Sequence, residues 1–95
     1  MKHRSLRVAP EVRHDIDRLA DFLIEKSPRA AERVSDLLAD AVLSLSELSE
    51  RGRPSHNLNW RELVIGFGKA AYIVQYRVEG DEVFVARIFH SLERR

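Results

Sequence analysis

A chain of 95 residues and 11.0 kDa holds one domain with one core, and leaves no room beside that core for a deep substrate cavity. It has no cysteine, which excludes a disulfide framework, a thiolate nucleophile and sulfur-ligated zinc, and makes a reducing, cytoplasmic setting the expectation. The charge is uneven: residues 1–50 hold eight Lys/Arg and ten Asp/Glu (8 − 10 = −2), whereas residues 51–95 hold eight and five (8 − 5 = +3).

No apolar stretch follows the basic start Met1-Lys2-His3-Arg4, so no signal peptide is expected, and no apolar run is long enough for a membrane span. Ser5 to Val8 reads as a short strand. Pro10 and Glu11 then open a helix over roughly 10–26, since proline suits the first helical position and a carboxylate complements the helix dipole. Val12, Ile16, Leu19, Ala20, Leu23 and Ile24 recur at helical spacing. Ser27-Pro28 starts a second helix, whose apolar stripe (Ala30, Val34, Leu37, Leu38, Ala41, Val42, Leu45, Leu48) carries it to about Glu50, with Gly52 and Pro54 as the stop. So short a connection makes an antiparallel helical hairpin.

Arg51–Trp60 is polar and turn-rich, a loop. The period then changes from 3.6 to 2, which predicts strands over Arg61–Phe67, around Tyr72–Val78 and around Val83–Phe89, joined by turns at Gly66-Phe67-Gly68-Lys69 and Gly80-Asp81. The fold class is α+β, in the order β-α-α-β-β-β: a short N-terminal strand, and a helical hairpin on one face of a small antiparallel sheet. A two-residue turn at Gly80-Asp81 pairs Val78 with Val83, Tyr76 with Val85, Val74 with Arg87 and Tyr72 with Phe89. Ile73, Gln75, Arg77, Phe84, Ala86, Ile88 and His90 then share the opposite face. Both faces are substantially apolar, and the helices cover only one, so the other face calls for a protein partner.

Gly66-Phe67-Gly68-Lys69-Ala70-Ala71 matches a dinucleotide-binding fingerprint by residue type, but a strand follows it where the fingerprint needs a helix, so it reads as a hairpin turn. His3, His14, His56 and His90 include no i, i+4 pair, and no metal or other cofactor is expected. Asp17 and Asp21 lie on a solvated helix face. The basic groups of the second half include Arg53, Arg61, Arg77, Arg87, Arg94 and Arg95, joined by His90. Arg87 stands out, because a charge inside an apolar strand face needs a carboxylate or a partner. Trp60 ends the polar loop, where it can anchor the loop to the core or face a partner.

The order of elements, with Ser27-Pro28-Arg29-Ala30-Ala31, Gly52-Arg53-Pro54, Arg61-Glu62-Leu63-Val64, Tyr72-Ile73-Val74-Gln75-Tyr76-Arg77-Val78 and Arg87-Ile88-Phe89-His90, resembles the ParE/RelE superfamily of bacterial toxins from type II toxin–antitoxin modules. The resemblance spans nearly the whole chain as one toxin domain. It implies one of two activities. RelE-like members are ribosome-dependent mRNA endoribonucleases that use several Lys/Arg and a C-terminal Tyr or His. ParE-like members lack that set and act on DNA gyrase. In the ribonucleases an Arg follows the Tyr that aligns with Tyr72, and Arg or His stands near Ser91. Ile73 here offers neither charge nor donor to a phosphorane.

The resemblance therefore implies a ParE-like toxin without catalytic residues, inhibiting DNA gyrase, with the mRNA endoribonuclease as the alternative. It also implies a cognate antitoxin, a small DNA-binding protein whose C-terminal segment folds on the toxin in a hetero-oligomer. With a net charge of +1, the toxin alone is expected to bind duplex DNA poorly. Arg53, Trp60, Arg61, Arg87 and His90 are the candidates for target binding. Ile73, Phe84, Ile88 and Arg77 are the candidates for antitoxin binding.

Overall fold

The computed structural model describes residues 3–57 and 59–93; Arg94 and Arg95, named above, lie outside them. The chain runs β1 (Ser5–Val8), α1 (Pro10–Ile24), α2 (Pro28–Ser44), β2 (Arg53–Pro54), β3 (Arg61–Phe67), β4 (Ala70–Glu79) and β5 (Glu82–His90). The strands form one sheet in the order β1-β5-β4-β3-β2. This is the α+β order that the periodicity predicts, with a two-residue β2 added. All neighbours are antiparallel except β1, which the helical hairpin returns parallel to β5.

Local chemistry starts and stops these elements. Pro10 and Pro28 both sit in the first helical turn, and the Ser27 hydroxyl accepts the Ala30 N–H at 3.1 Å. Gly68 and Gly80 turn the chain in the left-handed region, at φ 59° and 58°. Pro54 faces Arg61 between the hydrogen-bonded pairs of the β2–β3 ladder, where its missing N–H is not needed.

Helix α2 ends six residues before the stop expected from its apolar stripe. Leu45 and Ser49 are fully buried, so the chain leaves the helix axis and folds inward through a series of turns. The Tyr76 hydroxyl holds these turns: it accepts the Gly52 N–H at 2.8 Å and donates to the Ser49 carbonyl at 2.7 Å. A Cβ on Gly52 would stand 2.4 Å from that hydroxyl oxygen. Gly52 is thus a point of close approach to Tyr76, not a helix cap.

The core lies between the helices and one sheet face, and includes Val12, Leu19, Val34, Leu38, Leu45, Val74, Tyr76, Val83, Val85 and Ile88. Each such buried side chain contributes about 1.5–3 kcal/mol of transfer free energy. Among the described residues no helix is long and apolar enough to cross a membrane.

The register of β4 and β5 follows the expectation only from the turn to Tyr76–Val85. A bulge between Gln75 and Tyr76 leaves Ala86 as the extra residue, so that Gln75 pairs with Arg87, Val74 with Ile88, Ile73 with Phe89 and Tyr72 with His90. The expected pairs Val74 with Arg87 and Tyr72 with Phe89 are not formed. One extra residue reverses every side chain beyond it. Ile88 enters the core, fully buried, while Arg87 and Phe89 move to the opposite face. The charge expected within the apolar face is thereby removed from it, and Asp15 supplies the carboxylate it needs.

Candidate interaction surface

The sheet face away from the helices is striped rather than uniformly apolar. Cross-strand pairing places Arg7, Phe84 and Arg77 in one row, and Trp60 packs against the end of it. The Arg7 guanidinium lies 4.2 Å from the Phe84 ring centroid, and Arg77 lies 5.3 Å from Phe84 and 4.9 Å from Trp60. Glu82 pairs with Arg7 at 3.1 Å and Glu79 with Arg77 at 2.5 Å. Stacked guanidiniums cover aromatic faces while their charged heads stay wet. The next row is polar (Arg53, Glu62, Gln75, Arg87) and the one after it apolar (Val64, Ile73, Phe89). Ile73 is buried by its neighbours, whereas Val64 is 44% exposed.

Two arginines are tied to the fold itself. Beyond Val85 the outer edge of β5 has no strand beside it, since β1 pairs only as far as that residue. Asp15 of α1 takes the strand's place. Its carboxylate accepts the Ile88 N–H at 2.9 Å and both arms of Arg87, at 2.8 and 3.0 Å, with Arg18 at 3.4 Å. Burial pushes the Asp15 carboxyl upward. The hydrogen bonds from Arg87, the Ile88 N–H and Arg18, with the Arg87 charge, outweigh that and hold it below the ordinary carboxylate range. The same pair raises the pKa of Arg87. Arg61 points to the core side, where Nη2 donates to the carbonyls of Gly52 at 2.5 Å and Glu50 at 3.2 Å.

His90 lies at the other end of the molecule. Its ring meets Tyr72 edge-on at 5.4 Å, and burial pushes the Tyr72 phenol up. Its Nδ1 accepts the Leu92 N–H at 3.1 Å, and its own N–H donates to Glu93 at 2.7 Å. Leu19, Phe22, Tyr72, His90 and Leu92 line an open apolar cleft of about 330 Å³.

The five target-binding candidates therefore do not converge. Arg53, Trp60 and Arg87 belong to the striped face, Arg61 to the loop clamp and His90 to the cleft. Trp60 packs beside Phe84 on the striped face at 6.3 Å, not in the core. Of the antitoxin-binding candidates, Ile73, Phe84 and Arg77 share the striped face, and the bulge removes Ile88 from it. Sequence reasoning passed over Asp15. Its signal was present: residues 12, 15, 16 and 19 fall on one helical arc, so Asp15 is a carboxylate within a buried stripe.

A fold of this order, with one face under a helical hairpin and the other an open charged and aromatic surface, defines a small α+β module whose second sheet face is available for contact. Residues 6–95 match the family model described as the ParE toxin of the type II toxin–antitoxin system, parDE, and the chain belongs to that family. Two curated relatives come from Caulobacter vibrioides. Toxin RelE3 is 41% identical over 92 residues, which cover 97% of this chain and 99% of that protein. Toxin RelE1 is 44% identical over 88 residues, covering 93% and 94%. Among solved structures, the chromosomal ParDE system from P. aeruginosa superposes with a TM-score of 0.78 at 23% identity, covering 93% of this chain and 96% of that one. The RelBE2 toxin–antitoxin complex from Mycobacterium tuberculosis superposes at 0.59 and 20% identity, covering 93% and 98%. At those identities the superpositions show the shared fold.

Proposed function

We propose that this chain is a toxin that arrests growth inside the cell by binding DNA gyrase, has no active site of its own, and is neutralised by a cognate antitoxin. One observation carries the non-catalytic part. The groups that a phosphate-cleaving site would draw on stand apart, each with a partner of its own: Arg87 with Asp15, Arg61 through Nη2 with two carbonyls, Arg53 with Glu62 at 3.6 Å and His90 through Nδ1 with a backbone N–H. Phosphoryl-transfer catalysis needs free donors converging on one phosphate. Gyrase as the target follows from the ParE resemblance, and the antitoxin from the family together with the toxin–antitoxin systems in which the superposed structures were determined. Arg53, Trp60 and Arg87 are the target contacts proposed on the striped face.

The names of the Caulobacter relatives favour a second reading, an mRNA endoribonuclease using Arg53, Arg61, Arg87 and His90. Two assays separate the readings. The purified chain should block gyrase supercoiling or trap cleaved DNA, and should leave message intact on a programmed ribosome by primer extension. Untouched gyrase at large molar excess, with cuts in the ribosomal A site, would replace the first reading by the second.

A further inference from the structure

The pairing of Arg87 with Asp15 uses only part of the guanidinium. An arginine carries five N–H donors in a rigid fork. Nε and one N–H of Nη2 go to Asp15, at 2.8 and 3.0 Å. Both N–H groups of Nη1 and the second of Nη2 donate to nothing among the described residues. The Arg87 side chain is 43% exposed, against 4% for Asp15. Asp15 thus fixes the inner edge of the guanidinium and leaves the outer edge open on the striped face. The Phe89 ring, 5.2 Å from the guanidinium carbon, supports the same orientation.

Charge decides what this outer edge can take. Asp15 already neutralises Arg87, and Glu11 and Glu93 add to the negative field around it. A carboxylate or phosphate arriving there would meet those carboxylates as well as the guanidinium. A neutral acceptor would not. The same molecule displays such a pairing, since Arg61 Nη2 donates to the main-chain carbonyls of Gly52 and Glu50. Gln75 lies opposite Arg87 on β4, and its amide is in no hydrogen bond among the described residues. The flanking rows are aromatic and apolar, with Phe84 and Trp60 on one side and Val64 and Phe89 on the other. Such surroundings exclude water from a central polar contact.

We infer that Arg87 and Gln75 form a site for main-chain carbonyl oxygens of the target protein, with Asp15 as its positioning residue. The outer edge of Arg87 and the Gln75 amide donate to neighbouring carbonyls of the bound segment, while Asp15 balances the charge and holds the fork still. This inference rests on the gyrase reading above.

The test measures direct binding of the full chain to purified gyrase. Arg87→Lys keeps the charge but not the fork, and Gln75→Met keeps the shape but not the amide and leaves the Asp15 contacts intact. Arg87→Lys should weaken binding at least about tenfold and Gln75→Met about threefold or more. No ion pair crosses the interface, so both ratios to the native chain should hold within about twofold between roughly 50 and 300 mM salt. Asp15→Asn should weaken binding in the native background but add less than about twofold on top of Arg87→Lys. Native-strength binding by both Arg87→Lys and Gln75→Met would overturn the site while the gyrase reading stands. Ratios that collapse as salt rises would identify an anionic ligand and overturn the carbonyl assignment. An equal loss from Asp15→Asn in both backgrounds would overturn its positioning role. No binding of the native chain to gyrase would overturn the inference and the gyrase reading together.

Discussion

Asp15 replaces a missing strand, supports the bulge and neutralises Arg87, so a single carboxylate joins helix to sheet. Replacing it with Asn removes the charge and should cost about 2 kcal/mol at pH 7, on the scale of hydrogen bonds to charged groups. The folded-state pKa is depressed, so the stabilisation is complete above the unfolded value and fades as pH falls through the folded one. The difference between native chain and Asp15→Asn in chemical denaturation should therefore be constant near neutrality and shrink below about pH 4. A difference independent of pH down to 2 would contradict this assignment. Tyr76 makes a matching prediction. Tyr76→Phe leaves the Ser49 carbonyl and the Gly52 N–H unsatisfied, and Gly52→Ala pushes a methyl into the ring. Each should lower stability by about 1–3 kcal/mol in urea melts.

At the scale of elements, alternation and helical spacing made the two helices and three long strands legible, because each buries one face against a common core. Where α2 ends and how β5 pairs were not legible. An apolar stripe continues through Leu45 and Leu48 whether the chain stays helical or turns inward, and only the Tyr76 hydroxyl, distant in sequence, decides between them. The run Val83–Phe89 is apolar at both parities, so it specifies strand without specifying phase. Packing against the helices chooses Ile88 for the core, and Ala86 absorbs the mismatch. Deleting Ala86 should remove the bulge and keep the observed pairs, with Arg87 opposite Gln75 and Ile88 opposite Val74, so that Ile88 stays in the core. Chemical denaturation should then show a stability change of no more than about 1 kcal/mol. A loss of about 3 kcal/mol or more, the scale of leaving a charge buried and unpaired, would mean that the strand takes the opposite phase once Ala86 is gone.

For the whole molecule, the uncovered face matters most. It is neither sealed nor bare: Arg7 and Arg77 cover Phe84 and Trp60, while Val64 stays open. This self-covering lets an aromatic surface remain in water until a partner competes for it. Arg7→Ala with Arg77→Ala should expose that surface, raising the fluorescence of a bound apolar dye while far-UV circular dichroism is unchanged. Unaltered dye binding would show that the guanidiniums do not shield the rings. The candidate site was legible as residue types, since Arg77, Phe84 and Ile73 do share the open face. It was not legible as a set, because Arg61, Ile88 and His90 each point elsewhere.

Periodicity, proline and glycine placement and the order of elements, all local properties of the chain, determined by themselves the α+β class, the helical hairpin and the family resemblance. The parity of β5, the partner of Arg87 and the edge of its guanidinium left open were decided only in the tertiary structure. They depend on contacts between residues some seventy positions apart, such as Asp15 with Ile88, where small differences in packing choose among registers that look alike locally.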